Sequence, residues 1–214
     1  MTAQLNLVIA VDGPAASGKG TIAKALAEHF GLPHMDTGLL YRSVALTLWR
    51  WGGDPGNPFE AVRACSEMGI TPDDPELRSE AVSRIASAIS AYPVVRSALL
   101  ERQRDFAARP GGAVLDGRDI GTVIAPAATV KLFVTASLEE RARRRLAELV
   151  GRGMKATLAE VLADITARDA RDSERSAAPL IQAEDAILLD TSDLDRDGAI
   201  AAAIRLVEDK LKQR

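Results

Sequence analysis

Apolar residues in this chain fall into short continuous runs and into stripes at helical spacing, and the two kinds alternate. Leu5 to Val11 is a continuous run that breaks into a glycine-rich turn, which predicts a buried strand. Ile22, Leu26 and Phe30 then recur at helical spacing until Gly31, so a strand, a loop and a helix open the chain. A second helix is expected after Thr37, with Leu40, Val44 and Leu48 on one face and its end at Gly52-Gly53. Asn57-Pro58 opens a short helix that Gly69 closes, and Thr71 to Pro75 reads as a turn. Val82, Ile85 and Ile89 mark a further helix up to Tyr92-Pro93, and Val95, Leu99 and Phe106 mark the next.

Past the breaker at Arg109 to Gly112, Ala113 to Leu115 and Val130 to Val134 read as two more buried parallel strands. Ser137 with Glu140, and Thr157 with Glu160, form capping boxes for a helix running through Val150 and for one starting at Leu158. Ile187 to Leu189 is a last strand, and Ile200, Ile204, Val207 and Leu211 line a terminal helix. Strands separated by helices predict a three-layer α/β fold with a central parallel sheet. The chain carries no internal repeat or low-complexity tract.

Composition narrows the class. With 214 residues, 47% of them hydrophobic, the chain can bury the core of one domain plus an insertion, which excludes disordered and fibrous classes. A net charge of -3 argues against a partner held by bulk charge, such as a nucleic acid polymer or a membrane, so any anion must be gripped locally. Of the 27 basic residues six are lysines, leaving 21 arginines, the residue suited to forked grip on phosphate. A GC-rich coding sequence would inflate that number as well. Cys65 is the lone cysteine, so no internal disulfide or thiolate metal cluster can form, and a cytoplasmic location is expected. The N-terminal apolar run is too short for a membrane span or a signal core.

Gly13-Pro14-Ala15-Ala16-Ser17-Gly18-Lys19-Gly20-Thr21 sits between the first strand and its helix, where a phosphate-binding loop belongs. Backbone N–H groups and the helix dipole there favour a polyphosphate, to which Lys19 adds a cation. The strict pattern has a hydroxyl directly after the lysine. Here Gly20 intervenes and the hydroxyl arrives at Thr21, so the spacing fixes no protein ligand for a metal and leaves Thr21 as the candidate.

Three more constellations follow. Asp36-Thr37-Gly38 with Tyr41-Arg42 opens the second helix, either as a cap with a surface arginine or as a site above the sheet edge. Asp116-Gly117-Arg118-Asp119 leaves the carboxyl end of a strand, where ligands of open α/β sheets bind. On the helix from Leu158, the stripe of Val161 and Ile165 continues through Arg168, Asp172 and Arg175. If that helix is unbroken, these three charges face a cleft and need a polar ligand or one another. Residues 141 to 175 hold nine basic and six acidic residues around Gly151-Arg152-Gly153, which suits a cationic cover for phosphoryl transfer. Arg141 and Arg143 are expected on its solvated face.

Taken in order, these motifs resemble the bacterial cytidylate kinases, within the nucleoside monophosphate kinases, over nearly the whole chain. The landmarks are Asp12-Gly13-Pro14 leading into Gly18-Lys19-Gly20-Thr21, Asp36-Thr37-Gly38 with Tyr41-Arg42, and Ser87 with Tyr92-Pro93 and Arg96. Asp116 to Thr122 and Arg168 to Arg175 complete the set. The resemblance implies a P-loop fold with a helical monophosphate-binding insert and an arginine-rich lid. In that division about 1–36, 110–150 and 180–214 form the core, about 37–109 the insert and about 151–176 the lid. It implies transfer of the ATP γ-phosphoryl group to CMP or dCMP by a monomer.

By that resemblance, Gly13 to Thr21 and Arg145 bind ATP, with Mg²⁺ carried on the ATP phosphates and water. Ser87, Arg96 and Asp119 hold cytosine, and Arg168 and Asp172 reach the sugar. Arg42, Arg118 and Arg175 grip the acceptor phosphate beside Thr37. Lys19, Arg118, Arg145 and Arg175 supply the catalytic charge. The stretch from Met68 to Asp74 is much shorter than in the family, so the small antiparallel sheet of the insert is expected to be reduced or absent. His29 and His34 read as structural. The competing readings are a P-loop kinase for UMP, AMP or shikimate, and a nucleotide-binding switch module.

Overall fold

The computed structural model describes residues 6–69 and 71–213. Its centre is a five-stranded parallel sheet of β1 (Leu7–Asp12), β2 (His34–Asp36), β3 (Gly112–Gly117), β4 (Val130–Thr135) and β5 (Ile187–Asp190). The spatial order is β2-β3-β1-β4-β5, so the chain end of β1 lies mid-sheet between β3 and β4. Alternation along the strands divides the core. Ile9, Val11, Val114 and Leu132 pack towards α1 (Lys19–Phe30) and α8 (Arg196–Lys212). Ala10, Ala113 and Leu115 face the other way. These give the expected three layers.

Between β2 and β3 the chain builds α2 (Thr37–Arg50), α3 (Pro58–Glu67), α4 (Glu80–Ile89) and α5 (Pro93–Ala107). Asn57 caps α3 through the N–H groups of Phe59 and Glu60, and Pro58 occupies its first turn. Leu40, Val44, Leu48, Ile85, Ile89 and Leu99 close a second core among these helices. Among the described residues this segment holds no strand, and a 3-10 turn (Pro75–Arg78) lies between α3 and α4. After β4 come α6 (Leu138–Gly151) and α7 (Leu158–Glu174), which share a small core of Ala142, Leu149, Val161 and Ile165.

Three local expectations are corrected. Ser137 accepts the Glu140 N–H but the reciprocal bond is missing, because the Ser137 N–H donates to Ser192 and the Glu140 carboxylate is taken by Arg143 and Arg144. Thr157 and Glu160 do form the full box. The first strand runs from Leu7 to Asp12, and Leu5 lies outside the described residues. Helix α7 stops at Glu174, and Arg175 takes an extended conformation, so the charged stripe ends at Asp172.

Candidate functional site

The phosphate-binding loop is shaped by two backbone requirements. A Cβ on Gly13 would lie 2.0 Å from the Val134 carbonyl oxygen of the neighbouring strand, so only glycine lets the chain turn away there. Gly18 caps α1 at φ 87° with no side chain covering the first N–H groups of the helix, which leaves them free for an anion. Ala16 also sits at positive φ, 58°, at the crest of the loop. Within this loop Lys19 Nζ donates to the Pro14 carbonyl at 3.2 Å. Burial pushes the Lys19 amine down to about 7, and the Arg118 charge pushes the same way. A polyphosphate bound there would oppose both effects through its negative charge.

A broad cleft runs from Ala15 to Thr21 across Asp36, Asp116 and Arg118 to Glu80, Arg144, Arg145 and Arg168. Opening from it is a smaller cavity lined by Thr37, Arg42, Ser87, Arg96, Arg118, Asp119, Arg168, Asp172 and Arg175. Every residue expected at the acceptor site from the sequence therefore meets in one cavity, although they come from five separate stretches of chain.

Ion pairs set the cavity's charge. Arg42 Nη2 donates to Asp36 Oδ2 at 2.6 Å, Arg118 Nε donates to Asp172 Oδ2 at 2.8 Å, and Arg96 pairs with Asp119. Burial alone would raise Asp172, but Arg118 and Arg168 outweigh it and hold the carboxyl below its usual range. Asp36 is held down in the same way by Arg42 and Lys19. Arg168 shows the opposite balance, with burial and the nearby Arg118 bringing its guanidinium to about 10. Three buried arginine donors, Arg42 Nε, Arg168 Nε and Arg175 Nη2, have no hydrogen-bond acceptor. Buried donors of this kind are usually met by protein, ordered water or a ligand. Arg175, though off the helix, still enters the cavity, with Nη2 3.9 Å from Asp119 Oδ1 and Nε on the Ala178 carbonyl. Thr37 is turned down, its hydroxyl donating to the Asp116 carbonyl at 2.8 Å.

Sequence reasoning missed several contributors. Arg141, expected on a solvated face, is buried. It donates to the Ala136 and Ala15 carbonyls and to Asp169 at 2.6 Å, linking α7 to the phosphate loop. Arg143 is exposed as expected. Arg144 reaches the Thr191 and Leu194 carbonyls beside Gly18, and Arg171 donates to the Ser87 hydroxyl. The signal for Arg144 was the density of arginine itself, and Arg171 stood among the family landmarks without an assigned role. His34 Nε2 lies 2.8 Å from Asp116 Oδ1, whereas His29 pairs with Glu208 at the surface. Thr21 is exposed on the cleft wall, and among the described residues no group of three His, Cys, Asp or Glu side chains could cage a metal by itself.

A phosphate-binding loop at the end of the central strand, opening into a second cavity lined with arginines, defines a P-loop phosphotransferase with an anionic acceptor. The sequence model of the family described as Cytidylate kinase matches residues 9–209, and the chain belongs to that family. It is 56% identical to a cytidylate kinase of Methylocella silvestris over 203 residues, covering 94% of each chain. It is 57% identical to one of Xanthobacter autotrophicus, covering 94% of this chain and 97% of that one. A solved structure of an uncharacterized protein from Eubacterium ventriosum shares the fold, with a TM-score of 0.55 and 14% identity over 95% of this chain and 99% of that chain.

Proposed function

We propose that the chain transfers the γ-phosphoryl group of ATP to CMP and dCMP, releasing ADP and the pyrimidine nucleoside diphosphate. The observation that carries this reading is the set of orphaned, buried guanidinium donors on Arg42, Arg168 and Arg175 around one cavity next to the phosphate loop. They are the partners an acceptor nucleotide would supply.

An acceptor phosphate oxygen attacks the γ-phosphorus in line while the bond from that phosphorus to the β,γ-bridging oxygen breaks, and the electron pair leaves with ADP. The acceptor is already an oxyanion, so no strong base is needed, and the protein's work is alignment and charge stabilisation. Lys19 meets the ATP phosphates, Arg118 and Arg175 the transferring group, and Arg145 closes from α6. Arg42, Arg118 and Arg175 hold the acceptor phosphate, Arg168 and Asp172 the sugar, and Ser87, Arg96 and Asp119 the base. Arg42, Arg118 and Arg145 now hold a carboxylate, so phosphate binding exchanges one anion for another and does not require bare charges to be desolvated afresh.

The cleft fits a magnesium nucleotide. Its oxygens, the Thr21 hydroxyl among them, are hard donors, and Mg²⁺ keeps most of its shell as phosphate and water. Bound there, Mg²⁺ neutralises charge on the phosphates of ATP. We assign about 37–109 to acceptor binding, about 151–176 to a lid, and about 1–36, 110–150 and 180–214 to the core of a cytoplasmic monomer. Steady-state ADP production from ATP with CMP, dCMP, UMP and AMP tests the reading. CMP and dCMP should turn over far faster than UMP and AMP, and equal rates for all four would overturn it.

A further inference from the structure

Asp12 is a buried carboxylate with no part in the chemistry above. It is the last residue of β1 and runs directly into Gly13 of the phosphate loop. Its side chain points to the other half of the site. Oδ1 accepts the N–H of Ile120 at 2.8 Å and Oδ2 accepts the N–H of Gly121 at 2.7 Å. Those amides open a single π-type turn, Ile120–Ile124, which follows Asp119 without a spacer. The first N–H groups of such a turn have no partner inside it, and two donors side by side match the two oxygens of one carboxylate.

We infer that Asp12 is a positioning residue for the acceptor cavity: it pins the turn at Ile120 and Gly121 and thereby fixes Asp119, with Arg96 and Arg175, relative to the phosphate loop. The inference rests on the reading of that cavity as the CMP site.

The chemistry favours this role over plain packing. An amide of the same shape offers one acceptor oxygen and would set its NH₂ against the second N–H. Only the ionised carboxyl satisfies both donors. Maintaining it costs the fold something, since burial raises the Asp12 carboxyl to about 6 despite the two amides and Arg118. One side chain thus joins the end of the strand that carries the ATP loop to the turn that carries the base-binding acid.

The test is Asp12→Asn, with KM for CMP and for ATP measured separately. A misplaced turn should raise the CMP value by about tenfold to a hundredfold, with ATP within about threefold. In an Asp119→Ala background the same substitution should add little, because contacts acting through one another are not additive. Equal movement of both KM values, or of neither, overturns the inference. Failure of the cavity reading shows up separately, since Asp119→Ala and Arg96→Met would then leave CMP binding unchanged. If Asp12→Asn does not fold, the wild type serves. Cytidine, which carries no phosphate to titrate, should bind about fourfold more weakly at pH 5.5 than at pH 7.5 as Asp12 is protonated. The charged groups facing Asp12 are Arg118, Asp119 and Lys131, whose stem packs on Gly121. Cytidine affinity that stays unchanged as the pH is lowered until the fold is lost would overturn the inference.

Discussion

Arg145 on α6 pairs with Glu80, the first residue of α4, and so ties the arginine-rich segment to the helix that carries Ser87. Arg152 adds a bond to the Arg78 carbonyl at 3.1 Å, and Arg84 lies 3.3 Å from Asp164. To meet ATP, Arg145 must exchange Glu80 for phosphate. Glu80→Gln should therefore speed hydrogen exchange over residues 145–157 in the free protein. ATP with CMP should slow exchange from 145 to 175 in both proteins as the arginines close. Exchange that ignores both the substitution and the ligands would mean this segment is not a closing cover.

Lys19→Met should lower kcat by about 10²-fold or more while the fold persists, since the backbone donors of the loop remain. Its stability should respond to pH in a particular direction. The Lys19 amine titrates near 7 in the fold against an ordinary 10.5, so between those values the unfolded chain binds more protons. Wild-type stability therefore gains from this group as pH rises from 7 to 10.5. The methionine variant lacks the penalty, and its Tm advantage should be largest at pH 7 and shrink towards pH 10. Melting curves across that range, beside a coupled ADP assay, check both parts.

Arg141→Met breaks a buried ion pair and two carbonyl contacts at once. Losing one partner of such a pair costs about 3 kcal/mol, which for a chain of this size is a Tm drop of about 6–12 °C. Thermal unfolding should show that loss, and ATP should protect the variant less than the wild type because the Ala15 carbonyl loses its anchor. A drop under about 2 °C would return Arg141 to the solvated face on which its sequence context puts it.

Legibility in the sequence followed the range of the interactions. The phosphate loop was readable because glycine spacing and the strand-to-helix switch are local. Arg168 and Asp172 were readable because Val161 and Ile165 define their helix face within three turns. Arg175 reached the cavity by another route. The helix ends one residue earlier, and the extended chain, held by the Ala178 carbonyl, returns the guanidinium to the site. Arg141 could not be placed because its burial depends on Asp169, 28 positions on, and on a carbonyl of the phosphate loop. The three-residue strand β2 and the π-type turn were too short to leave a period, and Asp12 showed no partner until β1 and the turn were brought together.

Asp119 should choose the base. Cytosine presents an exocyclic amino group, a donor that a carboxylate accepts, whereas uracil puts a carbonyl in the same place and leaves two acceptors facing each other. The rival role is a plain ion pair with a neighbouring arginine, and the geometry makes that arginine Arg96 and not Arg118. Arg118 is engaged by Asp172, and Asp119 is met by Arg96, with Arg175 further off. That pairing gives each group a task. Arg96 is fixed by one Asp119 oxygen and can serve acceptors on either pyrimidine, so it anchors, while the carboxylate's remaining lone pairs discriminate. Sites built around a hydrogen bond to a buried charged group can reject an analogue lacking it by roughly 10⁴-fold. Measuring kcat/KM for CMP and UMP in wild type and in Asp119→Ala decides the matter. The CMP value should fall far more than the UMP value, narrowing the ratio. Equal losses would leave Asp119 as a support for Arg96 and move base selection to the shape of the cavity.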